Sequence, residues 1–151
     1  MSWKLKTFDE LTTRELYSIL KERTEIFVVE QNCPYLEVDG KDLSSYHLYK
    51  EVDGDIAAYL RILPAGVSYK EASLGRVIVK KEYRGQGLAQ ELLLRGIDFT
   101  LNKLKENAIK IQGQHYLEKF YGSFGFQTIS DVYMEDGIPH VDMLLEKEAN
   151  G

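Results

Sequence analysis

Gly75-Arg-Val-Ile-Val-Lys-Lys-Glu-Tyr-Arg-Gly-Gln-Gly-Leu-Ala-Gln-Glu-Leu-Leu-Leu94 reads as a strand, a glycine loop and a helix in direct succession. The β-branched run Val77-Ile78-Val79 suits a buried strand, and the spacing of leucines from Leu88 onward is helical. Between them, Arg84, Gly85, Gln86 and Gly87 lead into a helix N-terminus. There the first N–H groups have no partner within the helix, and the macrodipole adds about half a positive charge. Gly85 and Gly87 allow the backbone to approach an anion closely, and Arg84 adds a formal charge, so the stretch predicts a phosphate-binding loop.

Spacing separates the known glycine-loop classes. No Gly-Lys-Ser/Thr follows the glycines, which excludes a P-loop. The position three after Gly87 is Gln90 rather than glycine, which argues against a dinucleotide fingerprint. What remains is Arg-x-x-Gly-x-Ala across Arg84, Gly87 and Ala89, preceded by Val77 and Val79. This resembles motif A of the GCN5-related N-acetyltransferases (GNAT), which in that family binds the pyrophosphate of acyl-coenzyme A.

Bulk properties narrow the remaining classes. At 151 residues the chain predicts one domain, 1–151, large enough to bury roughly 70% of its unfolded surface. Nineteen basic residues against 24 acidic ones give a net charge of -5, with acids dispersed among lysines, which disfavours nucleic acid as a partner. Cys33 is the sole cysteine and cannot close an internal disulfide, and Met1 to Lys6 lack the apolar core of a signal peptide. These features predict a reducing, cytoplasmic setting. Apolar runs fall far short of the ~20 residues that span a bilayer, so no membrane role is expected.

Working outward, residues 3–8 alternate as a short edge strand. Thr12 and Glu15 form a capping-box pattern at the start of a helix whose stripe includes Leu16, Ile19, Leu20 and Phe27, with Pro34 as its latest possible end. The polar loop 32–45 carries Cys33, Glu37, Asp39, Asp42 and a turn at Gly40. Residues 46–63 read as a hairpin about Asp53-Gly54, and 72–79 as a third antiparallel strand. The helix after the glycine loop is expected to run to about Glu106, with a short strand at 108–113. Residues 127–130 and 138–145, the latter after the acidic turn Glu135-Asp136-Gly137, are expected to close the sheet as an antiparallel pair.

Glu118-Lys-Phe-Tyr-Gly-Ser-Phe-Gly-Phe126 has helical aromatic spacing, with Gly125 placed as a C-terminal cap. Aromatics so spaced serve a core equally well. The segment is similar to the second GNAT signature, Phe-Tyr-x-x-x-Gly-Phe, which implies a tyrosine, here Tyr121, near the coenzyme sulfur. Where that signature commonly has Asn and Ala, this chain has Gln114 and Leu117. Phe27-Val-Val-Glu-Gln-Asn-Cys-Pro-Tyr35, Gly75-Arg-Val-Ile-Val79 and Glu135-Asp-Gly-Ile-Pro-His140 further resemble the ElaA-like subgroup.

The resemblance implies an α/β (α+β mixed) GNAT-type acyl-CoA N-acyltransferase fold: a mostly antiparallel sheet of six or seven strands flanked by helices, with two central parallel strands, 72–79 and 108–113, splayed apart. Acetyl-CoA as cosubstrate is then expected against Val77, Val79, Arg84, Gly85, Gln86, Gly87, Leu88, Ala89 and Gln114, its pantetheine amides pairing with strand groups that the splay leaves open.

Acetyl transfer to an amine needs a neutral nucleophile, a stabilised oxyanion and a proton for the departing thiolate. Deprotonating a lysine-like amine at pH 7 costs about 4.6 kcal/mol, so a base is useful, and Glu30, His47 and His140 are the candidates. Tyr121 is the expected acid. Phe27, Gln31, Asp39, His47 and Arg61 are the expected acceptor-side residues, and the acidic loop hints at a cationic amine. Arg61 and Arg76 lie in apolar strand runs and must be paired, either with an acceptor carboxylate or with Asp39, Asp42 or Glu30. The histidines lack metal-ligand spacing, and no metal is expected. The primary reading is an N-acetyltransferase acting on a small-molecule or peptide amine through a ternary complex, with a homodimer possible. The alternatives are a non-catalytic acyl-CoA sensor and, resting only on the acidic loop, a protein adaptor.

Overall fold

The computed structural model describes residues 2–32 and 37–147. Strand β1 (Ser2–Thr7) forms the edge expected at 3–8. Helix α1 (Thr13–Arg23) begins where the capping box places it: Thr12 Oγ1 accepts from the Glu15 amide at 3.0 Å, and the Glu15 carboxylate accepts from the Thr12 amide at 2.9 Å. A π-helical segment, Thr24–Glu30, continues it, with the Gln31 amide donating to the Ile26 carbonyl. Cys33 and Pro34 lie outside the described residues.

Strands β2 (Tyr46–Val52) and β3 (Asp55–Leu63) form the expected hairpin, and Asp53 and Gly54 both have positive φ, as a two-residue type I′ turn requires. Strand β4 (Ser73–Val79) completes an antiparallel sheet in the order β1-β2-β3-β4. Helix α2 (Leu88–Asp98) stops short of the expected Glu106: a π-helical turn, Phe99–Lys103, follows, and Lys105 at φ 61° ends it, because left-handed backbone cannot continue a right-handed helix. Then come β5 (Ala108–Gln114), the short helix α3 (Glu118–Gly122), β6 (Gln127–Thr128), β7 (Tyr133–Glu135) and β8 (Ile138–Glu146).

These last strands form a second antiparallel sheet, β5-β8-β6, with β7 also on β8. The strand count therefore exceeds the six or seven expected. The added element is β7, hairpinned to β8 through Asp136 and Gly137, both at positive φ. The turn is the same Asp-Gly signal that joins β2 to β3.

The two sheets touch through β4 and β5. A single parallel bridge, Ala72 to Ile109, with the Lys110 amide donating to the Ala72 carbonyl at 2.8 Å, joins their starts. Beyond it the strands diverge, which is the splay expected of 72–79 and 108–113. A bulge contributes. Between its pairings of Gly75 with Arg61 and Ile78 with Tyr59, β4 carries one residue more than β3, and Arg76 there adopts φ 53°.

Alternation on the first sheet sorts two cores. Leu48, Leu60, Ile62 and Leu74 pack with Leu92 and Leu93 of α2, while Tyr49, Ile56, Tyr59 and Ile78 pack with Ile19 and Ile26. Gly96 allows the close α2 approach, since a Cβ there would stand 3.1 Å from Leu60. Among the described residues, no helix is long and apolar enough to cross a membrane.

Candidate active site

The splay opens a cleft of about 630 Å³. One wall is β4, presenting Arg76, Val77, Ile78 and Val79; the other is β5 and the segment after it, presenting Gln112, Gln114, Tyr116, Leu117, Phe120 and Tyr121. Ile26, Phe27, Glu30 and Gln31 come from the π-helical segment, Arg84 and Ala89 from the glycine loop and the start of α2, and Glu135, Asp136, Ile138 and His140 from the β7–β8 hairpin.

At the loop end, Gly85 and Gly87 have φ of 82° and 79°, and a Cβ at either would meet nothing within 4 Å. Conformation, not space, demands glycine here. Gly87 caps α2 without a side-chain hydrogen bond, and the first helical bond runs from the Glu91 amide back to the Gly87 carbonyl. The amides of the preceding turn thus lack intrahelical acceptors, a ready anion site. Gly85 and Gln86 are exposed in this loop, whereas the Leu88 side chain is buried in the core, leaving its backbone as the part able to meet a ligand. Arg84 donates from Nε to the Val79 carbonyl at 2.9 Å and from Nη2 to both Glu30 carboxylate oxygens at 3.2 Å. Gln114 Nε2 donates to Gln31 Oε1 at 3.2 Å.

Tyr121 is buried, at 8% exposure, and burial pushes its phenol up to about 12. Its ring lies against β5 at Gly113, where a Cβ would approach Cδ2 and Cε2 to 3.2 Å, and meets Phe120 and Phe126 edge-on. His140 pairs in register with Gln114. Its Nδ1 lies 2.7 Å from the Ile138 carbonyl, and its ring stacks on Tyr133 at 26°. A carbonyl only accepts, so Nδ1 carries the hydrogen and, in the neutral ring, Nε2 holds the lone pair.

The structure brings together Phe27, Glu30, Gln31, Val77, Val79, Arg84, Ala89, Gln114, Tyr121 and His140. Asp39, His47 and Arg61, expected on the acceptor side, are not among the residues that line this cleft. These belong to a buried network outside the cleft lining, where Arg61 donates to both Asp39 oxygens at 2.9 Å and to Asp42 at 3.1 Å. His47 is fully buried between the Tyr59 hydroxyl, 2.6 Å away, and the Asp42 carbonyl, 3.0 Å away. Burial pushes the His47 pKa below its ordinary value. Burial by itself would raise Asp39, but the Arg61 hydrogen bonds and the nearby Arg76 outweigh it and hold the carboxyl at about 2. The acids of the loop therefore face internal arginines.

Arg76 lines the cleft and is paired within the fold, donating to Glu37 at 2.9 Å and to Asp39 at 3.4 Å. Glu135, Asp136, Ile138 and Gln112 are additions. Ile138 with His140, and Gln112 with Gln114, follow from the two-residue strand period, whereas Glu135 required knowing that β7 exists. Among the described residues, no three His, Cys, Asp or Glu side chains converge as metal ligands.

A family model described as an acetyltransferase (GNAT) domain matches residues 9–147. Protein ElaA of Escherichia coli strain K12 is 36% identical over 148 residues, covering 97% of each chain. The crystal structure of an acyl-CoA N-acyltransferase from Pseudomonas aeruginosa is similar at a TM-score of 0.90 and 37% identity, covering 96% of this chain and 99% of that one. The crystal structure of Escherichia coli ElaA gives a TM-score of 0.90 at 35% identity, covering 96% and 99%.

Proposed function

This chain belongs to the GNAT acetyltransferase family, a family of acyl-CoA-dependent acyltransferases, and on that premise we propose that it moves acetyl from acetyl-CoA directly to a primary amine of a small molecule or peptide. The observation that carries the reading is one cleft combining an unpaired strand edge, an anion-binding helix N-terminus and a buried phenol.

The residues present fit the cosubstrate. The amides at 87–89 and Arg84 suit the pyrophosphate, and the open edge of β4 at Val77 and Val79, with Gln114 opposite, suits the pantetheine amides. Acetyl-CoA supplies the activated thioester; the chain supplies position and proton control. A β4 amide near Val79 holds the oxyanion as the amine nitrogen bonds to the acyl carbon. Tyr121, protonated at neutral pH because its phenol sits at about 12, gives its proton to the thiolate as the carbon–sulfur bond breaks. His140 Nε2 takes the proton that the amine loses, directly or through water, and Nδ1–H anchored on Ile138 keeps that lone pair available. Phe27, Gln31 and Glu30 flank the acceptor. The sole cysteine, Cys33, accords with a cytoplasmic setting, and residues 1–151 act as one catalytic domain.

The test is calorimetric titration with acetyl-CoA beside thiol release over a panel of polyamines, amino acids and peptides. Saturable binding with acceptor-dependent release is expected. Binding without release from any acceptor would favour a sensor, and absence of binding would overturn the assignment of the glycine loop.

A further inference from the structure

Glu30 and Gln31 end the π-helical segment and reach opposite walls of the cleft. Glu30 meets Arg84 beside the glycine loop, and Gln31 accepts from Gln114 on β5. Together they form a strap across the opening between the splayed strands.

On the β4 side the strap depends on one guanidinium. Arg84 holds the Glu30 carboxylate with Nη2 and the Val79 carbonyl with Nε. Both partners have other uses in acetyl transfer: Val79 presents an acceptor on the open strand edge, and Glu30 carries a negative charge that lines the cleft. Arg84 in turn adjoins the helix N-terminus where a diphosphate is favoured. A diphosphate offers several oxygens and more than one charge to a planar donor fork, in a field already positive from the helix. The Arg84–Glu30 pair is a weak competitor, since its side chains are 41% and 45% exposed.

We propose that Arg84 is a shared latch, for which Glu30 and the diphosphate of the incoming acyl-CoA compete, so that coenzyme binding unfastens the strap and leaves the Glu30 charge facing the acceptor side. The proposal rests on the acyl-CoA reading of this cleft. In the exchange Arg84 turns from Val79 and Glu30 to the diphosphate. The Val79 carbonyl is then open to a pantetheine N–H, and Glu30, no longer neutralised, attracts an ammonium. One arginine thereby couples the two halves of the cleft. A ligand shifts such an equilibrium only by its differential affinity, and here the differential is the broken Arg84–Glu30 pair.

The prediction runs against the usual effect of altering a site residue. Glu30→Gln removes the competitor and should tighten acetyl-CoA binding by about two- to fivefold at low salt, the range of an exposed ion pair. Added salt should shrink that gain. Arg84→Gln should weaken binding, and in its background Glu30→Gln should have no effect. Isothermal calorimetry on the wild-type chain, both single variants and the double variant reads all four corners. Unchanged or weaker binding by Glu30→Gln, or a gain that persists without Arg84, overturns the latch while leaving the acyl-CoA reading intact. Failure of the wild-type chain to bind acetyl-CoA overturns that reading, and the latch with it.

Discussion

The setting of Tyr121 is built by its surroundings. Burial pushes its phenol further up, to about 12, and its ring occupies the space left by the missing side chain of Gly113. Tyr121→Phe keeps the ring and removes the hydroxyl proposed as the proton donor. Turnover should fall by about a hundredfold or more, the scale of general acid catalysis, with acetyl-CoA affinity nearly unchanged. Steady-state kinetics beside calorimetry would check this, and unaltered turnover would remove Tyr121 from the chemistry. Gly113→Ala approaches the same residue from the other side. Its methyl at 3.2 Å from two ring atoms forces the ring to shift, and turnover should drop by about tenfold while the melting temperature changes little. Retained kcat in that variant would show that the ring position is not rate-determining.

At the scale of elements, the segment 37–44 is fastened to the sheet by charge rather than by apolar packing. Arg23, fully buried, donates to Glu37 at 2.6 Å and to Asp42 at 2.8 Å, while Arg61 and Arg76 engage Asp42, Asp39 and Glu37. Among the described residues, three cations here meet three carboxylates. The network ties α1 and the bulge of β4 to one loop and so steadies Arg76 at the cleft. Replacing Arg23 by Ala leaves buried carboxylates short of a partner and should cost about 3–5 kcal/mol in urea unfolding. A loss below about 1 kcal/mol, as for an exposed pair, would mean that the network is dispensable. The acids of this loop and the need of Arg61 and Arg76 for partners are legible in the sequence, whereas the part Arg23 plays is not. An arginine on a helix is ordinarily solvated, and nothing local marks this one as facing inward.

For the molecule as a whole, the same buried groups set the acid limit of stability. Burial lowers the pKa of His47 in the folded state, so the unfolded chain binds its proton first. Stability is then full above the ordinary histidine range near 6.5 and falls as pH drops below it. Asp39 and Glu15, both held at about 2, contribute stability above their unfolded values near 4, lost as pH falls from there toward 2. For Glu15, burial opposes the shift, and the Thr12 amide, the Tyr49 hydroxyl and Lys6 outweigh it. Urea midpoints measured from pH 8 to pH 3 should hold steady, decline below about 6.5 and steepen below about 4. Replacing His47 by Gln should flatten the upper decline. A wild-type midpoint constant from pH 7 to pH 5 would contradict the role assigned to His47.

By itself the sequence determined what depends on neighbouring residues. The left-handed glycines of the loop before α2, the capping box at Thr12, the Asp-Gly hairpin and the strand-loop-helix order from Gly75 to Leu94 are local backbone preferences, and each is present. Only the tertiary structure decided which side chains meet. His47 meets Tyr59 and the Asp42 carbonyl, Arg61 pairs with Asp39, the short strand β7 exists because β8 pairs with it, and Glu30 lies within reach of Arg84 across 54 residues of chain. The physical reason is range. A φ angle is set by sterics within a residue or two, whereas a buried charge takes whichever partner the packed elements bring to it.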